Sequence, residues 1–168
     1  IWGQHSSGGW PYMLDFSGET SLKQWYSKVQ KGYIHCAQEH AHYYGNCTYD
    51  DAATYDSGMF LLRMYLLTLD PKYKYPVERC LDFVLESQYP IGGWPQRYPL
   101  HYEYVKGDKE DYTSFITIND GVHTNNINFL LACYTLLGET RALEPLQRAM
   151  TCVLALQGGK PQAGWAMP

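Results

Sequence analysis

The 168-residue chain carries a formal net charge of −4, with 13 Lys and Arg against 17 Asp and Glu. Its length suits one domain with a sizeable core, and the scattered basic residues exclude a phosphate-binding face, which needs clustered Lys and Arg. Aromatic residues make up 15%, with 16 Tyr and 5 Trp, and their flat apolar faces and polar edges suit sugar rings as well as protein cores.

No run of about eighteen apolar residues occurs, so no membrane span is expected. The first residues, Ile1-Trp2-Gly3-Gln4, lack the basic and apolar regions of a signal peptide, which places any targeting segment outside the chain. The chain opens on a glycine-rich loop, Gln4-His5-Ser6-Ser7-Gly8-Gly9-Trp10-Pro11. Residues 18–45 hold a weak helical pattern around Leu22, Trp25, Val29, Tyr33 and Cys36. Asp50 or Asp51 then caps a helix that runs through Phe60-Leu61-Leu62 and Tyr65-Leu66 to Leu69, where Asp70-Pro71 ends it. Pro76 sits in the first turn of the next helix, which Val77, Cys80-Leu81 and Val84-Leu85 carry to Gln88. A second loop follows, Gln88-Tyr89-Pro90-Ile91-Gly92-Gly93-Trp94-Pro95, and residues 101–116 read as a polar surface excursion. Two more helices run from about Asn119 to Leu137 and from about Ala142 to Leu156, with Gly138 stopping the first and Pro145 opening the second. A third loop, Gln157-Gly158-Gly159 to Gly164-Trp165, leads to Pro168.

The chain matches itself at an offset of 69 residues. Thr48 falls on Thr117, Asp51 on Asp120, Phe60-Leu61-Leu62 on Phe129-Leu130-Leu131, Pro76 on Pro145, Arg79 on Arg148 and Gln88 on Gln157. The units span about 48–100 and 117–168. Repeated helical hairpins bury one another's faces and need several units, so the expectation is an all-α, α/α toroid, incomplete in this chain, forming a single domain over residues 1–168. Trp2 and Trp165 are expected to lie against surface that a complete toroid would cover.

Of the five cysteines, Cys80, Cys133 and Cys152 fall in apolar helical stretches and read as buried thiols. Cys36 and Cys47 look placed to pair. Asn46-Cys47-Thr48 matches the glycosylation sequon. The six histidines show no metal-ligand spacing, and His123 reads as incidental.

Two repeat-related helix starts, Thr48-Tyr49-Asp50-Asp51-Ala52-Ala53-Thr54 and Thr117-Ile118-Asn119-Asp120-Gly121-Val122-His123, carry paired acids or amides. One Asp at such a place is an ordinary N-cap worth about 1 kcal/mol. Pairs exceed what a cap needs. Asp50, Asp51 and Asp120 can instead supply the hard oxygen ligands that Ca²⁺ prefers, with the two starts converging on one ion. Arg97 follows Trp94 in the second loop, where a guanidinium could grip a uronate carboxylate through two hydrogen bonds. Trp10, Trp94 and Tyr98 could stack on sugar rings, and the two tryptophans could equally wedge adjacent hairpins.

Several motifs resemble the family 10 pectate lyases in the right order along most of the chain. They are Gly8 to Pro11, the Thr-x-Asp-x-x-Ala-Thr pattern of Thr48 to Thr54, the run Gln88 to Leu100, and Ile116 to Asp120. The resemblance implies an α/α toroid that binds acidic pectic polysaccharide such as polygalacturonate with Ca²⁺ and cleaves it by β-elimination, in a secreted or periplasmic setting. It also assigns the metal role to Asp50 and Asp120, with Asp51 and Asn119 beside them. The family's base is an arginine after a third tryptophan loop, and no residue up to Pro168 takes that position; the remainder of the same polypeptide is a possible partner. Two other readings stay open. One is a non-catalytic glycan-binding or structural repeat. The other is a terpene-cyclase-like enzyme, whose barrels also brace helices with Gln-x-x-x-Gly-x-Trp loops, although Asp50-Asp51 is short for a diphosphate-binding run.

Overall fold

The computed structural model describes residues 1–11, 46–100, 112–161 and 163–165. The helical pattern expected over 18–45, Cys36 and most of the polar excursion over 101–116 lie outside the described residues.

Four helices dominate: α1 (Ala53–Thr68), α2 (Pro71–Glu86), α3 (Val122–Leu137) and α4 (Leu143–Ala155). α1 packs on α2, α3 packs on α4, and the pairs meet through α1 and α3. Two short strands, β1 (Cys47–Thr48) and β2 (Arg97–Tyr98), pair antiparallel with Thr48 opposite Arg97. The all-α expectation stands, with β1 and β2 serving only to tie the segment before α1 to the loop after α2.

Helix punctuation follows the sequence at some ends and departs from it at others. Gly138 closes α3 in a left-handed conformation (φ 71°), where a residue without Cβ is unstrained. Leu69 closes α1 the same way at φ 54°. α1 ends before Asp70-Pro71, as expected, and Asp70 also begins α2, its carboxylate accepting the Lys72 N–H at 3.0 Å with Pro71 in the first helical position. Pro76 therefore lies inside α2 rather than in its first turn. Two prolines five residues apart both offer a helix start, and the one preceded by a capping Asp takes it.

The core joins both hairpins through Leu61, Leu62, Val77, Leu81, Phe83, Val84, Phe129 and Leu130. Gly58 supplies a socket in α1, since a Cβ there would stand 2.9 Å from both the Phe129 ring and the Cys80 sulfur. Phe129 is thereby buried, whereas its repeat counterpart Phe60 is 60% exposed. Trp2 and Trp165 are also exposed.

Among the described residues Cys47, Cys80, Cys133 and Cys152 are buried free thiols, and Cys36, the expected partner of Cys47, lies outside them. Cys47 is a core residue, with Ser7 Oγ 3.4 Å from its sulfur and burial pushing the thiol up to about 11. The sequon is not presented for modification: Asn46 is 4% exposed and its amide donates to the Pro99 carbonyl.

Candidate metal centre

The first helix of each hairpin, α1 and α3, is preceded by a pair of consecutive residues in the left-handed region. Before α1 these are Asp51 (φ 48°) and Ala52 (φ 61°), within a 3₁₀ turn over Asp50–Ala52. Before α3 they are Asp120 (φ 51°) and Gly121 (φ 69°). Left-handed non-glycine residues carry strain that surrounding structure must hold in place. They set the backbone from which Asp50, Asp51 and Asp120 project. Neither α1 nor α3 has a side-chain cap, with Ala52 and Gly121 at the N-cap positions, so the capping role expected for Asp50 or Asp51 is not what these carboxylates do.

The acids meet. One carboxylate oxygen from each of Asp50, Asp51 and Asp120 lies within 4.8 Å of the others, with Asp50 half-buried and the other two exposed. Oxygens ligating Ca²⁺ stand about 2.3–2.6 Å from the ion, so a trio at this spacing fits around one cation. Carboxylates this close repel one another, and a divalent cation converts that repulsion into attraction. Asn119, the repeat counterpart of Asp50, donates its amide to Asp120 Oδ2 at 2.7 Å and holds that side chain in place.

The residues behind the acids are buried and specific. Thr48 N–H donates to the Trp10 carbonyl at 3.0 Å, and Thr117 N–H donates to the Trp94 carbonyl at 2.9 Å. Each tryptophan loop is thus bonded to the segment that carries the next pair of acids. Trp94 is fully enclosed, with its indole N–H on the Val84 carbonyl at 2.8 Å and its ring edge-on to His123 at 5.2 Å. Trp10 is 5% exposed. Both rings therefore brace hairpins, one of the two roles the sequence left open, and neither offers a face to a sugar.

Arg97 is 1% exposed in β2, so its guanidinium is not presented to solvent as a substrate contact would be. Tyr98 retains partial exposure, with its hydroxyl on Glu86 at 3.1 Å and its ring against the edge of Phe83. Of the four expected substrate residues, Tyr98 alone keeps accessible surface beyond a few per cent. His123, read as incidental, is a packing residue: Nε2 bonds the Ala149 carbonyl at 3.2 Å across the α3–α4 contact, and burial depresses its pKa.

Comparison with known proteins agrees with this architecture. A family model described as "Pectic acid lyase" matches residues 4–160. Family 10 polysaccharide lyase from Cellvibrio cellulosa superposes with a TM-score of 0.63 at 23% identity, covering 92% of this chain and 43% of that one. An aspartate-to-alanine variant of the Cellvibrio cellulosa enzyme, solved in complex with trigalacturonic acid, superposes with the same TM-score at 22% identity, covering 92% and 44%. The chain thus spans less than half the length of these structures. No curated protein matches it in sequence. With the family match running through both hairpins and all three acids, the chain belongs to the pectic acid lyase family.

Proposed function

We propose that this chain holds Ca²⁺ between Asp50, Asp51 and Asp120 and acts within a pectate lyase that cleaves polygalacturonate by β-elimination. The observation that carries the reading is the convergence of three carboxylates from two repeat-related helix starts. The family match supports the lyase class. The bound trigalacturonic acid in the Cellvibrio cellulosa variant supports an acidic pectic substrate. A bound calcium ion would act as a Lewis acid on a uronate carboxylate, acidifying the C5 proton whose removal begins elimination.

The chain's own residues supply the binding side of this chemistry. Asp50, Asp51 and Asp120 provide the oxygen donors, Asn119 orients Asp120, and Tyr98 offers a ring beside the second loop. No residue here is assigned as the base. The fold reading extends to an α/α toroid in which α1 and α3 belong to the inner ring, within one domain over residues 1–168. Apolar residues exposed on these helices, Phe60 and Leu67 on α1 and Leu131 and Leu136 on α3, support inner positions. An extracellular or periplasmic setting suits a polymeric substrate. No helix among the described residues is long and apolar enough to cross a membrane. The family match weighs against the terpene-cyclase reading, although the loops do brace helices as such loops would.

Electrophoresis through a gel containing polygalacturonate tests the proposal. Calcium should retard the protein and a chelator should release it. Migration unaffected by calcium would overturn it.

A further inference from the structure

We infer that Thr48 is a positioning residue whose hydroxyl sets the left-handed turn that aims Asp50 and Asp51 at Asp120. The inference rests on the metal reading above but concerns a residue that touches no ligand. Thr48 is fully buried in β1, two residues before the first acid. Its Oγ1 accepts the Asp50 N–H at 3.0 Å and lies 3.4 Å from the Gln96 carbonyl, to which it donates. Asp50 Oδ1 in turn accepts the Asp51 N–H at 3.1 Å, so the Thr48 hydroxyl is the first link of a chain that ends at the second acid.

Thr48 is itself fixed from three sides. Its N–H is on the Trp10 carbonyl, its carbonyl accepts from Thr54 Oγ1 at 2.7 Å, and β1 pairs it with Arg97. Thr54 Oγ1 also accepts the Trp10 N–H at 3.2 Å, which closes the lattice around the first loop. A turn with two left-handed non-glycine residues needs such outside support to persist. The second helix start is built differently: Thr117 Oγ1 donates back to Phe115, and Gly121 takes the left-handed position that Ala52 occupies in the first. The first turn thus depends on a hydroxyl where the second uses a glycine.

The test is terbium luminescence, with calcium competition, on the intact chain at a temperature well below its melting point. Three proteins are compared: wild type, Thr48→Val and Thr48→Ser. Valine keeps the shape of the buried side chain but cannot accept the Asp50 N–H. Residues that orient metal ligands typically change affinity roughly 10- to 100-fold when altered. Thr48→Val should weaken cation binding by that order, and Thr48→Ser should restore it. A Thr48→Val protein that melts earlier yet binds the cation as tightly as wild type would show a merely structural role and overturn the inference. Absence of binding by wild type would instead overturn the metal reading, and this inference with it. A Thr48→Val chain too unstable to assay is replaced by Thr48→Ala, for which the same two outcomes decide.

Discussion

Gln88 reaches from the loop after α2 to the Pro145 carbonyl in the first turn of α4, with Nε2 and O 2.9 Å apart. Gln4 makes the same bond to Pro76 in α2 at 2.8 Å. In both cases the amide also donates to a carbonyl in its own loop, Gly92 or Gly8, and its oxygen accepts from an arginine of the clasped helix, Arg148 or Arg79. One side chain joins each loop to the following hairpin.

Breaking the second clasp should therefore destabilise the protein, because Gln88→Ala leaves partly buried carbonyls of Gly92 and Pro145 without that donor. A loss of about 1–3 kcal/mol is expected in urea unfolding. Gln157, whose amide bonds only the Ala163 carbonyl of its own exposed loop among the described residues, should lose under about 0.5 kcal/mol on the same change.

Gly92 and Gly159 provide a matching backbone contrast. Gly92 is at φ 102°, and a Cβ there would collide with the Arg148 carbonyl, as one on Gly8 would with that of Arg79. Among the described residues nothing lies within 4 Å of where a Gly159 Cβ would stand. Gly92→Ala should lower stability by at least about 1–3 kcal/mol, measured by thermal unfolding, while Gly159→Ala stays within about 0.5 kcal/mol of wild type.

His123 makes stability depend on pH. Burial holds its folded pKa below the ordinary 6.5, so the unfolded chain binds more protons between the two values. Its contribution is complete above pH 6.5 and is lost as pH falls through the depressed folded value. His5, depressed by burial and by Arg79, acts in the same direction. Replacing His123 with Gln should flatten the fall in stability below pH 6.5, and an unchanged slope would assign it to His5 or to the carboxylates.

Much of this was legible in the sequence because repeats carry their own punctuation. The first two tryptophan loops and the paired acids stand at equivalent places in the repeat, and Gln4 and Gln88 clasp the hairpins that follow them in the same way. Other features depend on neighbours that the local sequence does not name. Whether Trp94 faces sugar or protein is decided by His123 and Val84 closing over it. The start of α2 turned on a choice between Pro71 and Pro76 that only the Asp70 cap resolves. The left-handed conformations of Asp51 and Ala52 had no composition signal, since neither Asp-Asp nor Asp-Ala demands them. They follow from β1, Thr48 and the Trp10 loop, which are brought together by pairing between segments distant in sequence. The same turn converts expected caps into converging carboxylates.

Calorimetric titration of Ca²⁺ into wild type, Asp120→Ala and Asp56→Ala tests the central claim most directly. Asp56 is an exposed acid in the first turn of α1 outside the trio, and its removal controls for net charge. The account predicts one calcium site in wild type, its loss in Asp120→Ala with the fold intact by circular dichroism, and its retention in Asp56→Ala. Equal calcium affinity in wild type and Asp120→Ala would contradict it.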